Sequence, residues 1–248
     1  MGRSRVEYAD EQITVYPPPC PFSCVYCYWR TPLMKARARM IRPRPLEEAR
    51  RYARMGRPRR IVISFTTDPY PPAEERWRLT RRVLQILAGA PQHTIMILTK
   101  NPRLALRDLD VMHLHGGMWL GATVIALDGA RALEPRAPSP WSRLEALREA
   151  HEEGVRTWLS VEPIIPPISK PLEIVREAVD YVDFFVFGKL NYARQLGLPE
   201  PDPRELWDAL RPALSFLSRR GKKFLVKREL IRAVASLRRG RPRDSRRT

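Results

Sequence analysis

"PPPCPFSCVYCYWR", residues 17–30, carries Cys20, Cys24 and Cys27, and the chain has no other cysteine. The thiols stand four and three residues apart, behind three prolines and with aromatic residues between and after them. An odd number of thiols packed into eight residues does not make a disulfide framework; it points to a metal site or a reactive thiol. Three thiolates can fill three corners of a 4Fe–4S cubane, and the absence of a fourth cysteine leaves one iron open to a small molecule. Zinc is the alternative, and it asks for a fourth ligand. His93, His113, His115 and His151 are all remote from the loop in sequence, but His113 and His115 could fold back to supply that ligand. Inert buried cysteines are a third reading, opposed by the flanking prolines and Ser23, which mark a loop.

Outward from this stretch, short apolar runs alternate with helix-patterned segments. Strands are expected at 12–16, 60–66, 93–99, 118–126, 156–163 and 183–190, rich in Val, Ile, Thr and aromatics and bounded by turn residues. Helices are expected near 45–56, 75–89, 102–109, 140–153, 171–181 and 203–220, where apolar residues recur at helical spacing. Six strand–helix units in series imply a parallel sheet with right-handed crossovers, either open and doubly wound or an incomplete barrel. In both, chemistry sits at the C-terminal ends of the strands, where the cysteine loop falls. A seventh strand at 222–227 and a helix follow. The division expected is a core at 1–228, with the cysteine loop at 17–30, and a C-terminal helix with a basic, disordered tail at 229–248.

The formal net charge is +18, from seven lysines and 38 arginines against 27 acidic residues. Arginine is the planar, bidentate phosphate binder, so a polyanionic partner such as nucleic acid is one expectation; an idle, solvated Arg-rich surface is the other. No apolar run reaches the length of a membrane-spanning helix, so no membrane partner is expected. The charged start "MGRSRVEYADEQ" lacks the apolar middle of a secretory signal, so the expected compartment is the cytoplasm, where thiols stay reduced.

Cys-x-x-x-Cys-x-aromatic-Cys, with Tyr26 as the aromatic, resembles the signature of the radical S-adenosylmethionine (AdoMet) superfamily. "PCPFSCVYCY", "SFTTDPYPPAE", "ILTKNP", "GATVIALD", "LEPRAPSPWSRLEALREAHEEGV", "VEPIIPPI" and "FGKLNY" follow in order, on strand ends and the turns after them. Together they are similar to the branch related to spore photoproduct lyase. The resemblance implies an α/β fold, a partial (β/α)6 TIM-like barrel with a short C-terminal extension. It implies a 4Fe–4S cluster on Cys20, Cys24 and Cys27, with AdoMet chelating the open iron. It further implies reductive cleavage of AdoMet to a 5′-deoxyadenosyl radical that abstracts hydrogen from substrate, fed by a reductant such as flavodoxin or ferredoxin.

Carried over residue by residue, the resemblance puts Tyr26 beside the adenine and Thr67 and Asp68 on the AdoMet ammonium or ribose. Lys100 falls on the carboxylate, and Thr123 on ribose or carboxylate. Arg143 either holds a carboxylate or pairs with Glu134. Each has a plainer reading: turn capping for Thr67 and Asp68, solvation for Lys100, an ordinary strand position for Thr123. Glu162, Lys189 and Asn191 at the last strand ends are substrate or ribose candidates. Spore photoproduct lyase uses an additional cysteine as hydrogen donor; here the cluster takes all three, so a radical relay would need tyrosine, with Tyr28, Tyr70 and Tyr192 as candidates. Three functions follow: a radical enzyme on nucleic acid, a radical enzyme on a protein or small molecule, and a basic zinc-binding protein without catalysis.

Overall fold

The computed structural model describes residues 6–63 and 66–239. Strand β1 (Glu11–Ile13) leads through the cysteine loop into a 3-10 turn (Tyr28–Arg30), α1 (Pro32–Ala38) and α2 (Pro45–Ala53). Next come β2 (Arg60–Ile63), α3 (Glu74–Trp77), α4 (Leu79–Ala88), β3 (Thr94–Thr99), α5 (Pro102–Ala105), α6 (Leu109–His113) and β4 (Met118–Thr123). The chain continues with α7 (Ala130–Leu133), α8 (Pro140–Glu152), β5 (Arg156–Ile164), α9 (Pro171–Ala178), β6 (Phe184–Lys189) and α10 (Ala193–Leu196). It closes with α11 (Pro203–Arg219), β7 (Lys223–Val226) and α12 (Arg228–Arg239).

All seven strands are parallel and pair in chain order, β1 to β7, giving a curled partial barrel. Every C-terminal strand end therefore lies along one rim. Alternation along each strand sorts the side chains onto two faces. Ile61, Ile63, Ile97, Leu120, Leu159, Val161, Phe185 and Phe187 point outward and form one core with Leu84, Leu87, Leu147, Ile174, Leu210 and Leu217 of the helices. Val62, Met96, Trp158 and Val186 line the concave face, which the N-terminal Tyr8 and Ala9 cover.

The expected helix at 75–89 is broken at Arg78, whose φ is 48°. The break lets the fully buried Glu74 carboxylate turn back and accept from the Thr80 and Arg81 amides at 2.9 and 3.3 Å, capping α4 with a negative charge. The segment expected as one helix at 102–109 is α5, a 3-10 turn and α6, which reaches His113. The strand expected at 12–16 pairs only over Glu11–Ile13, and that at 60–66 is seen as Arg60–Ile63, with 64 and 65 outside the described residues. The tail beyond 239 also lies outside them. Leu230 of α12 is fully buried in the main core, so this helix packs onto the barrel.

Candidate active site

The cysteine loop is held by its apolar alternates. Phe22, Cys24 and Tyr26 bury themselves against Ile125, Ala126, Ala130, Leu133, Ile165, Leu190 and Ala193, on the segments after β4, β5 and β6. The Val25 amide donates to the Leu133 carbonyl at 2.8 Å. The aromatics between the thiols thus fasten the loop over the rim. Burial pushes the Cys20 thiol up to about 11, with the nearby Asp68 charge adding to it. Cys24 and Cys27 are also raised by burial, against the opposing pull of Lys100.

Beside Cys24 lies a buried charge network. Tyr26 donates its hydroxyl to Glu134 Oε1. Lys100 Nζ stands 3.7 Å from the same oxygen and 5.5 Å from the Tyr26 ring centroid. Burial would raise Glu134, but Lys100 and Arg143 outweigh it and leave its pKa lowered. Burial opposes the Lys100 charge too; Cys24, Glu134 and Asp68 together reverse that and hold its pKa above the ordinary lysine value. Arg143 pairs with Glu134 and also donates to the carbonyls of Thr123 (2.8 Å) and Pro138 (2.6 and 3.0 Å). Its donors are therefore spent on protein groups, so it acts on the mouth through Glu134.

Asp68 is buried and accepts from the Tyr70 amide (2.9 Å), the Thr99 hydroxyl (2.5 Å) and the Lys100 amide (2.7 Å). It ties the turn after β2 to the end of β3, with part of its acceptor capacity left over. Thr67 donates to the Tyr16 carbonyl at 2.7 Å. Thr123 and Ser160, paired across β4 and β5, are both buried.

The structure does not bring Tyr70 to this mouth. Its ring is fully buried and its hydroxyl donates to Asp108 at 3.0 Å, in a separate network with Arg81 and Arg107. Glu162 forms an ion pair with the buried Lys227. A Cβ on Gly188 would meet Glu162 Cδ at 2.7 Å, so glycine makes room for that carboxylate. Lys189 turns to the Leu190 carbonyl (3.0 Å) and Glu200 (3.7 Å), and Asn191 reaches Glu229 at 3.5 Å. Tyr192 is half exposed, its ring centroid 6.4 Å from that of Tyr28.

The histidines stand at the wrong end for zinc. His93 bonds to the Arg59 amide and the Tyr52 carbonyl, and His115 to the Ala90 carbonyl and Gly117 amide, at the starts of β3 and β4. His113 bonds to the Glu153 carbonyl. The cysteine loop follows the other end of a parallel strand, so His113 and His115 do not fold back to it. Among the described residues no three thiol, imidazole or carboxylate groups converge on a single-ion site. Three free thiols on one loop do suit a cubane, whose three iron corners are spread apart.

The radical SAM superfamily profile matches residues 15–186, from the approach to the cysteine loop to the middle of β6. The chain belongs to this superfamily. Membership implies a 4Fe–4S cluster and AdoMet as cofactors. An uncharacterised protein of Methanocaldococcus jannaschii is 31% identical over 134 residues, 53% of this chain and 51% of that one. One from Acidianus two-tailed virus is 28% identical over 170 residues, 64% and 55%. The chain thus spans about half the length of the curated relatives it matches. Among solved structures, a spore photoproduct lyase variant aligns with TM-score 0.70 at 14% identity, over 91% of this chain and 78% of that one. Streptococcus suis SuiB bound to S-adenosylmethionine aligns with TM-score 0.63 at 13% identity, over 88% and 50%. At such identities the likeness is one of fold. Among the described residues of this radical SAM protein, no helix is long and apolar enough to cross a membrane.

Proposed function

We propose that Cys20, Cys24 and Cys27 ligate one 4Fe–4S cluster, that AdoMet lies over the rim beside it, and that the substrate is nucleic acid undergoing repair or modification. Bound together, cluster and AdoMet supply reductive sulfonium cleavage and a carbon-centred radical able to take a hydrogen atom. The chain's own residues bind and orient. Lys100, kept cationic by its acidic surroundings, would hold the AdoMet carboxylate, and the spare acceptor capacity of Asp68 would take the ammonium. The Thr123 hydroxyl would serve the ribose, and Tyr26, pinned by Glu134, would flank the adenine. Phe22 and the loop packing keep water from this side of the mouth. Electrons would come from a small carrier such as flavodoxin or ferredoxin, and reduced thiols suit the cytoplasm.

The observation that carries the substrate class is the +18 charge, mostly arginine. Fold alone leaves it open, since the neighbours include a spore photoproduct lyase with a dinucleoside and SuiB with a precursor peptide. With its three thiols on the cluster, the chain has no cysteine left to donate hydrogen, which argues for a reaction other than that of spore photoproduct lyase. The test is binding of RNA and DNA oligonucleotides across a salt series. Each phosphate neutralised on a duplex should contribute about −0.9 to the slope of log affinity against log salt. Binding to neither polymer would turn the reading to a protein or small-molecule substrate.

A further inference from the structure

Tyr192 follows β6 and caps α10 with φ 62° and ψ 27°, a left-handed conformation that crowds the Cβ of a bulky residue. Asparagine or glycine would sit there without that cost. The ring is also 49% exposed, so burial of the ring does not compensate for the backbone. What the conformation achieves is placement. Trp29 and Tyr28 pair at 5.4 Å between centroids, and Tyr28 and Tyr192 at 6.4 Å with planes 31° apart. The rings form a run, Trp29–Tyr28–Tyr192, whose middle ring follows Cys27 in the chain and whose last is exposed. Exposed Arg30 and Arg194 each follow a ring of the run by two residues.

We propose that the solvent-facing ring of Tyr192 is a stacking platform for one unpaired nucleobase at the barrel mouth. This rests on the nucleic-acid reading above and specifies its form, a single-stranded or extruded base. Single strands are held by aromatic faces that take a base of any identity and by basic side chains that take the phosphates; exposed Arg194, in the same segment as Tyr192, would take a phosphate. A base held there lies at the rim with the cysteine loop, and an atom inside a paired stack would be inaccessible.

The experiment uses the full chain, a single-stranded oligonucleotide containing 2-aminopurine, and the variants Tyr192→Asn and Tyr192→Phe, each over a salt series. The parent should bind and quench the fluorescence by stacking. Tyr192→Asn should weaken affinity by about tenfold at every salt concentration, with an unchanged salt slope, and lose the quenching. Tyr192→Phe should keep both. Tyr192→Asn should also melt at a higher temperature than the parent, because asparagine tolerates the left-handed backbone. Parent-like affinity and quenching in Tyr192→Asn would overturn the platform while leaving nucleic-acid binding standing. A lower melting temperature would overturn the argument that the ring is held there at a cost. No oligonucleotide binding by the parent would remove the nucleic-acid reading, and the platform with it.

Discussion

Arg143 Nη2 lies 2.6 Å from Glu134 Oε2, and both side chains are 1% exposed. The pair joins α8 to the segment after α7. Through Glu134 it fixes the Tyr26 hydroxyl and faces Lys100. It is a framework beneath the rim beside the cysteine loop.

Removing one partner of such a pair leaves an uncompensated buried charge. Arg143→Met should lower stability by about 3–5 kcal/mol, since it also frees the Thr123 and Pro138 carbonyls. Denaturant unfolding of parent and variant measures it; a loss under about 1 kcal/mol, the scale of an exposed pair, would contradict the burial argument.

Replacing Cys20, Cys24 or Cys27 with alanine should take anaerobically reconstituted protein from about four irons per chain to almost none. Far-UV circular dichroism should stay unchanged, because the sheet and its helices form a core apart from this loop. Stoichiometric zinc without iron in the parent would sink the cluster assignment.

Lys100→Met should weaken AdoMet binding by roughly tenfold or more while iron content holds, as loss of a charge-assisted contact does. Asp68→Ala should behave differently. Three donors lose their acceptor there, so thermal stability should fall together with AdoMet binding. Equilibrium dialysis and thermal melts separate the two effects, and unchanged AdoMet affinity in Lys100→Met would displace the carboxylate site.

A Cβ on Gly121 would stand 2.2 Å from Trp158 Nε1. The indole is fully buried and anchored to the Ile97 carbonyl at 3.0 Å, so it cannot swing away. Gly121→Ala should therefore cost at least about 1–3 kcal/mol by overpacking. A neutral result in denaturant unfolding would mean the indole has somewhere to go.

Acid should destabilise the fold in part through Asp110 and Asp10. The Arg81 hydrogen bond lowers the Asp110 pKa, and the Arg60 amide and guanidinium lower that of Asp10. A lowered folded pKa means stability present above the unfolded value and lost as pH falls through the folded one. Asp110→Asn and Asp10→Asn should each flatten the fall in melting temperature between about pH 5 and pH 2. Parallel curves for parent and variants would show that these pairs carry no pH-dependent stability.

Local pattern was enough to reveal the strand–helix alternation, the cysteine loop at a strand end and the charge excess. Period, turn residues and motif spacing are properties of neighbours along the chain. The breaks at Arg78 and in 102–113 were not legible in that pattern. The Arg78 break is fixed by the buried Glu74 carboxylate capping the next helix, a contact that an apolar pattern does not record. The site network was hidden for a related reason. Tyr26 meets Glu134 across 108 residues, and Lys227 meets Glu162 across 65. Only the parallel crossovers, which bring every strand end to one rim, make such residues neighbours. The same geometry assigned Gly121 to Trp158 and Gly188 to Glu162, moved Tyr70 into a separate network and set the histidines at the opposite end. Sequence named the chemistry of the loop; the curl of the sheet decided which charges stand beside it.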